Sequence, residues 1–280
     1  MLLLVDLDGV VYRGRAAVPG VPALLAARVA RGDEVVYVTN NAYRHRDEYL
    51  ARLGELGAPV SRDRIVTSAS ATAHHLAHGD PPARRVLVLG GEGLCRELRE
   101  VGLEARRAEE LVAAAAPGED PLPLAGEPDV VVVGLDPALT YRSLALAADA
   151  IRAGARFVAT NRDGSYPAEH GLRPGAGAIV AAVEATTGVV PLAIGKPSPL
   201  LLREAARAVG GDVARAVMIG DGIRTDMAAA RAAGCRSVLM LTGVTSRAEA
   251  DAIPAGERPT AVAADSAELG AALDRLAAAR

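Results

Sequence analysis

The sequence has no tryptophan and a single phenylalanine, and aromatic residues make up only 2% of its 280 positions. Its formal charge is -3, its pI is near 6.0 and it has five histidines. It therefore lacks the basic, stacking surface that nucleic-acid binders use, and nucleic acid is not an expected partner. No apolar run approaches the roughly 18 residues of a membrane-spanning helix. The opening Met1-Leu2-Leu3-Leu4-Val5 has no basic leader and meets Asp6 and Asp8 at once, so it reads as a buried strand rather than a secretory segment. The only two cysteines, Cys95 and Cys235, have no metal-ligand spacing and are expected to be small packed thiols in a reducing cytoplasm. Glutamine is absent, the only asparagines are Asn40, Asn41 and Asn161, and of 31 basic residues all but Lys196 are arginine. A chain that solvates positive charge with arginine and keeps one lysine invites a specific reason for it, because an ammonium is a compact point charge and a guanidinium is a planar fork.

Half of the residues are hydrophobic, enough to build a substantial core. Short Val/Ile/Leu runs alternate with Ala/Leu/Arg stretches of helical period, the pattern of parallel strands covered by helices, so the expected fold class is α/β with a doubly wound parallel sheet. Strands are expected at 2–7, 34–39, 64–67, 85–89, 130–133, 156–159, 217–219 and 237–241. Helices are expected at 21–31, 47–56, 142–153, 178–186, 199–209 and 225–233, several ending at a glycine. The Ala/Pro/Gly-rich stretch 113–128 reads as a surface loop. Residues 73–194 carry strands and helices of their own but none of the four motifs described next. They read as an inserted α/β domain, with residues 1–72 and 195–280 forming the core around it.

Asp6-Leu7-Asp8-Gly9 follows the first apolar run, at the carboxyl end of a strand, where open α/β sheets bind ligands. Two carboxylates so close repel unless a cation or a proton separates their roles. With Mg2+ present, one stays ionised as nucleophile or ligand while the other exchanges protons. Val38-Thr39-Asn40-Asn41 also ends a strand, and its hydroxyl and N–H groups make an anion cradle, although Thr39 or Asn40 alone would equally read as a helix cap. In Gly195-Lys196-Pro197-Ser198-Pro199 the ammonium stands just before a helix, where it can neutralise a phosphoryl oxygen or a carboxylate. Finally, Ile219-Gly220-Asp221 ends another apolar run, with Asp226 five positions on at the head of an Ala-rich helix. Carboxylates at 6, 8 and 221 form the oxygen set that a hard, octahedral Mg2+ prefers.

These four motifs, in this order, resemble the haloacid dehalogenase superfamily of phosphotransferases. They are most similar to its capped subclass IIA, which includes 4-nitrophenylphosphatase-like, phosphoglycolate, glycerol-phosphate and pyridoxal-phosphate phosphatases. The likeness extends through Ala159-Thr160-Asn161-Arg162-Asp163 and Gly171-Leu172-Arg173-Pro174-Gly175-Ala176-Gly177, which resemble cap segments of that subgroup. It implies a Rossmann-like core with an α/β cap and a Mg2+-dependent phosphatase acting on a small phosphorylated metabolite. By the resemblance, Asp6 is the nucleophile that becomes an aspartyl phosphate and Asp8 is the general acid and base. Thr39, Asn40 and Asn41 hold the phosphoryl group, and Lys196 steadies Asp6 and phosphate. The metal is held by Asp6, the backbone carbonyl of Asp8 and Asp221, supported by Asp226. Gly222-Ile223 departs from the polar pair usual after Gly-Asp in this family.

The cap is expected to set the substrate. Asn161 and Tyr166 are its candidate specificity residues, and Tyr166 reads equally well as an amphipathic surface tyrosine. His170 reads as a loop residue in preference to a catalyst, and for Arg44 and His45 solvating a helix start is favoured over touching substrate. Polyol and short acid phosphates stand ahead of sugar phosphates, with pyridoxal phosphate as the alternative. Whether two copies pair as a homodimer is left open. Two rival functions start from other features. Gly90-Gly91-Glu92-Gly93 after a strand hints at a dinucleotide-binding oxidoreductase, but in a G-x-G-x-x-G register from Gly91 the third glycine would be Arg96. A non-enzymatic receiver or scaffold shares the sheet but needs neither a cap nor a pair of adjacent aspartates.

Overall fold

In the computed structural model, which describes residues 1–116, 119–168 and 171–278, the chain forms two compact units. The first comprises Met1–Thr39, Arg46–Val66 and Lys196–Arg280, and the second comprises Asn40–His45 and Thr67–Gly195. The segment expected at 73–194 thus lies in a unit that starts at Thr67 and also takes in the six residues after Thr39.

The first unit is built on a six-stranded sheet in the order Ala261–Ala263, Arg236–Met240, Ala216–Gly220, Leu2–Asp6, Glu34–Thr39 and Ile65–Thr67. Neighbours run parallel from Ala261–Ala263 through Glu34–Thr39. Leu3, Leu4 and Val5 are fully buried, as are Val217, Met218 and Ile219 beside them, which is why both runs are apolar without alternation. Leu3, Val5, Leu25, Tyr37, Leu53, Ile219 and Leu273 belong to one cluster under the covering helices. Sequence order reverses at the first strand: Leu2–Asp6 pairs with Glu34–Thr39 on one side and with Ala216–Gly220 on the other. Such a switch point opens a crevice at the carboxyl ends of the strands. In register Val5 lies opposite Ile219, so Asp6 comes level with Gly220 and Asp221 follows one residue on, just past its strand.

The second unit has its own five-stranded parallel sheet in the order Leu192–Ala193, Arg156–Ala159, Val130–Val133, Arg85–Leu89 and Glu104–Arg107. Its separate core joins Leu89, Val131, Val133, Phe157, Ile179 and Val183. Two antiparallel strands, Ser165–Ala168 and Gly171–Pro174, follow residues 161–164.

Expected and observed elements agree closely where apolar runs are dense, as at Glu34–Thr39, Arg85–Leu89, Val130–Val133 and Arg156–Ala159. Two expectations are corrected. The stretch 113–128 is not all loop, because Leu122–Ala125 winds into a helical turn that ends at Gly126 with φ +67°. The helix expected at 225–233 begins earlier, with a π-helical turn over Ile223–Met227 that runs into Ala228–Ala233. Such turns favour functional sites because they push one side chain out of helical register.

Candidate active site

Four charged side chains meet at the carboxyl ends of the two central strands of the first unit. Lys196 Nζ lies 2.5 Å from Asp6 Oδ1 and 2.6 Å from Asp226 Oδ1. Carboxylate oxygens of Asp6, Asp221 and Asp226 lie within 4.8 Å of one another. All four residues are buried.

Backbone geometry holds each of them. The π-turn returns Asp226 toward the strand end, where its Oδ2 accepts hydrogen bonds from the backbone N–H groups of Asp221 at 3.2 Å and Gly222 at 2.9 Å. Gly222, which departs from the family's polar pair, serves through its backbone, and a Cβ there would collide with the Thr225 hydroxyl. Asp221 Oδ2 accepts from the Val244 N–H at 2.8 Å, and its carbonyl accepts from the Thr245 hydroxyl at 2.5 Å. Its carboxylate sits between two glycine backbones: Gly9, in a left-handed turn at φ +80°, and Gly243. A Cβ on either would overlap the Asp221 carboxylate, so glycine here serves close approach as well as backbone freedom. The Thr242 hydroxyl donates to the Gly9 carbonyl at 2.6 Å and ties the two loops together.

The electrostatics follow from excluding water. Burial raises the Asp6 carboxyl well above its ordinary range, the Lys196 ammonium pulls it back, and Asp226 and Asp221 push it up again. Asp221 is raised to about 6, first by burial and then by the nearby Asp226 carboxylate. For Lys196, burial disfavours the charged amine, but Asp226 and Asp6 outweigh it and the net shift is upward. When all three acids ionise, one ammonium faces three carboxylates, leaving an excess of negative charge in a dry site. Such an all-oxygen, electron-rich set fits a hard dication.

Asp8 lies outside this trio. Its side chain is exposed on the turn after the strand, where Gly9 N–H reaches the Tyr12 carbonyl at 2.7 Å. Thr39 is buried at the end of its strand in the first unit.

The other candidates fall in the second unit. The Asn40 side-chain amide donates to both Asp163 carboxylate oxygens at 3.1 and 3.2 Å, and the Asn40 carbonyl accepts from Asn161 Nδ2 at 2.8 Å and from the Ser68 hydroxyl. Asn161 is buried, and its Oδ1 accepts from the Asp163 N–H at 3.1 Å, so one end of its amide holds its own loop and the other holds the Asn40 carbonyl. Asn41 is exposed and accepts from the Tyr43 N–H at 2.9 Å, closing an Asx turn. Tyr166 is half-buried in the strand Ser165–Ala168, and His170 lies outside the described residues. Gly91 and Gly93, the basis of the dinucleotide reading, admit the Tyr43 ring and the Tyr43–His45 backbone where any Cβ would clash. His45 does not solvate a helix start: it is buried at 3% exposure because it faces Glu97 and Glu100.

The Haloacid dehalogenase-like hydrolase profile matches residues 3–104, and a HAD-hydrolase-like profile matches residues 193–269. The D-glycerol 3-phosphate phosphatase of Mycobacterium tuberculosis is 41% identical over 264 residues, covering 94% of this chain and 69% of that protein. Its structure in complex with magnesium superposes with a TM-score of 0.82 at 40% identity, covering 96% of this chain and 75% of that one. The acid sugar phosphatase of Staphylococcus aureus (strain USA300) is 35% identical over 243 residues, covering 87% of each chain. A p-nitrophenyl phosphatase from Archaeoglobus fulgidus superposes with a TM-score of 0.84 at 32% identity, covering 97% of this chain and 98% of that one.

The chain belongs to the haloacid dehalogenase-like hydrolases.

In this hydrolase the residues that sequence reasoning missed are Thr242, Gly243, Val244 and Thr245, which pack around Asp221 and Gly9. Their signal was present: the expected strand 237–241 runs into Thr-Gly much as the strand before it runs into Gly-Asp. Ser68, a partner of Asn40, carried no comparable signal, whereas Asp163 stood in the cap-like run 159–163 without a role of its own.

Gly243→Ala is expected to displace the Asp221 carboxylate and raise the Mg2+ concentration for half-maximal activity by about tenfold or more, as loss of support behind a metal ligand does. A Mg2+ titration of the variant with 4-nitrophenyl phosphate checks this, and an unchanged midpoint would refute it. The raised pKa of Asp221 makes a second prediction. Its folded value lies above its unfolded one, so the metal-free fold loses stability as pH rises from the ordinary carboxyl range through about 6. Mg2+ requires the ionised form, so its stabilising effect on Tm should be small at about pH 5 and clearly larger at about pH 7.5. Melting curves with Mg2+ against EDTA at both values read this directly, and equal shifts would contradict it.

Proposed function

We propose that this hydrolase removes the phosphoryl group from small polyol and short acid phosphates through an aspartyl phosphate on Asp6, with the segment 73–194 acting as the cap that selects them. The chain is a Mg2+-dependent phosphatase of small-metabolite phosphomonoesters, as its family and relatives support. Its substrate class is proposed from the resemblance to the glycerol phosphate enzyme. No helix among the described residues is long and apolar enough to cross a membrane. A cytoplasmic location is part of the proposal, in keeping with two free cysteines that form no disulfide.

The observation that carries the reading is Asp6 at the head of the central strand, paired at 2.5 Å with the chain's sole lysine and within reach of Asp221 and Asp226. A phosphoryl group transfers through a loose transition state with its charge spread over the oxygens, so the protein mainly aligns the nucleophile and neutralises charge. In the proposed sequence an Asp6 oxygen forms a bond to phosphorus as the bond to the leaving alkoxide breaks, and Asp8 gives that alkoxide its proton. Asp8, now a carboxylate, takes a proton from water. The water oxygen bonds to phosphorus, the Asp6–phosphorus bond breaks, and inorganic phosphate leaves. The exposure of the Asp8 side chain suits a group that exchanges protons with substrate and solvent. Lys196 steadies Asp6 and a phosphoryl oxygen, and Thr39 offers its hydroxyl to another. Asp6 and Asp221, with the Asp8 carbonyl, would hold Mg2+, which when bound supplies positive charge to the phosphoryl oxygens.

A panel of phosphorylated metabolites assayed for phosphate release is expected to give kcat/KM for glycerol phosphate and short acid phosphates about tenfold or more above sugar phosphates and pyridoxal phosphate. Asp6→Asn should lower turnover by at least about a thousandfold with its circular dichroism unchanged. Uniformly negligible rates would overturn the substrate class, and near-normal turnover by the variant would overturn the nucleophile.

A further inference from the structure

Asp8 stands on a turn rather than in the sheet, so the direction of its carboxyl follows the backbone of that turn. One residue closes the turn on both sides of Asp8. Tyr12 donates its N–H to the Leu7 carbonyl at 3.2 Å, and its carbonyl accepts from the Gly9 N–H at 2.7 Å. Wherever the Tyr12 backbone lies, the backbone at Asp8 is carried with it. Tyr12 also opens a small hairpin in which Tyr12–Arg13 pairs with Ala16–Ala17, and residues 13–16 are exposed. Two pairs of residues do not hold a ribbon together in water, so the hairpin needs an anchor from outside. Arg52, half-buried on the helix Arg46–Glu55, supplies it. Its guanidinium carbon lies 3.8 Å from the centroid of the Tyr12 ring, and one of its N–H groups donates to the Gly14 carbonyl at the hairpin tip.

From this geometry we propose that Arg52 is a positioning residue for phosphoryl transfer: it clamps the hairpin and, through Tyr12, fixes the Asp8 carboxyl where the leaving oxygen takes its proton. The inference rests on the reading of Asp8 as the acid. A guanidinium suits the task, because its flat face stacks on a ring while an edge N–H reaches a carbonyl, a pair of contacts that a compact ammonium does not match. Both contacts go to the hairpin, and neither is to an acid. Tyr12 is a firm intermediary: it is 1% exposed and belongs to the same core cluster as Tyr49 and Leu53, which lie on the helix that carries Arg52. The Tyr12 ring also stands close to Asp8 electrostatically. Its phenol is held above its ordinary pKa first by burial and next by the Asp8 carboxylate, with Arg52 opposing. Arg52 itself need not touch the substrate, since a proton donor displaced by a fraction of an ångström or turned away loses much of its effect.

Comparing phenyl phosphate with 4-nitrophenyl phosphate tests the proposal, through kcat/KM, which reads the steps up to departure of the leaving group. Nitrophenolate leaves without a proton, whereas phenolate gains from receiving one. Arg52→Met keeps the length and helix propensity of the side chain. It is expected to lower kcat/KM by about tenfold or more for phenyl phosphate but by less than about threefold for 4-nitrophenyl phosphate. Asp8→Asn should show the same bias more strongly, and adding Arg52→Met to Asp8→Asn should cost little more on either ester, because the two act as a unit. Arg52→Lys, which can still lay a cation on the ring, should show a smaller bias and guards against loss of fold as the explanation. Equal losses on the two esters in both Arg52 variants, or an undiminished loss when Arg52→Met is added to Asp8→Asn, would overturn the positioning role and leave Asp8 as the acid. Absence of any bias in Asp8→Asn would instead overturn the acid assignment, and the role of Arg52 with it.

Discussion

Carboxylates taken out of water repel one another, and the first unit is arranged around containing that repulsion. Three acids share a dry space with one ammonium, and each is pinned by backbone rather than by a long side chain: Asp6 by its strand, Asp221 by flanking glycines and the Val244 N–H, and Asp226 by two N–H groups at the head of a π-turn. The parallel sheet makes this arrangement possible. Its two central strands pair in a register that delivers Asp6 and Asp221 together, and full burial of both apolar runs leaves no freedom to slip. The charged cluster costs stability on its own, and the hydrophobic core beneath it offsets that cost.

The second unit handles polar groups differently. Asn40, Asn161, Asp163 and Ser68 form a neutral and singly charged hydrogen-bond net in which amides bridge backbone and side chain. Few rotamers satisfy so many partners at once, so the net specifies one loop geometry. The three asparagines of the sequence are thus used either in this net or, for Asn41, in a turn beside it.

The central strands, the ends of the helices that were expected and the meeting of Asp6, Lys196 and Asp221 could be read from the sequence, because each rests on a local rule, whereas helices such as Ser68–His78 and Ser266–Ala278 were not expected. An uninterrupted apolar run can only be buried, a glycine after a helical stretch can turn left-handed, as Gly188 does at φ +72°, and an acid at a strand end faces the crevice. What escaped depends on contacts between distant segments. The strand Glu104–Arg107 carries charge at three of its four positions and lies at a sheet edge, so it had no apolar signature. The Thr242–Thr245 loop becomes meaningful only once its strand is known to lie beside Ala216–Gly220. His45 looked like a solvated residue because its partners are some fifty positions away in sequence, on a helix whose inward face the local pattern did not reveal.

Asp226 divides the attention of the lone amine. With Nζ drawn almost equally toward two acids, Asp6 never receives the whole of a counter-ion's charge, so its oxygens keep more electron density than a private ion pair would leave them. An acid with no attacking role of its own in the proposed sequence can thus set the reactivity of the proposed nucleophile, through competition for a single proton-rich neighbour.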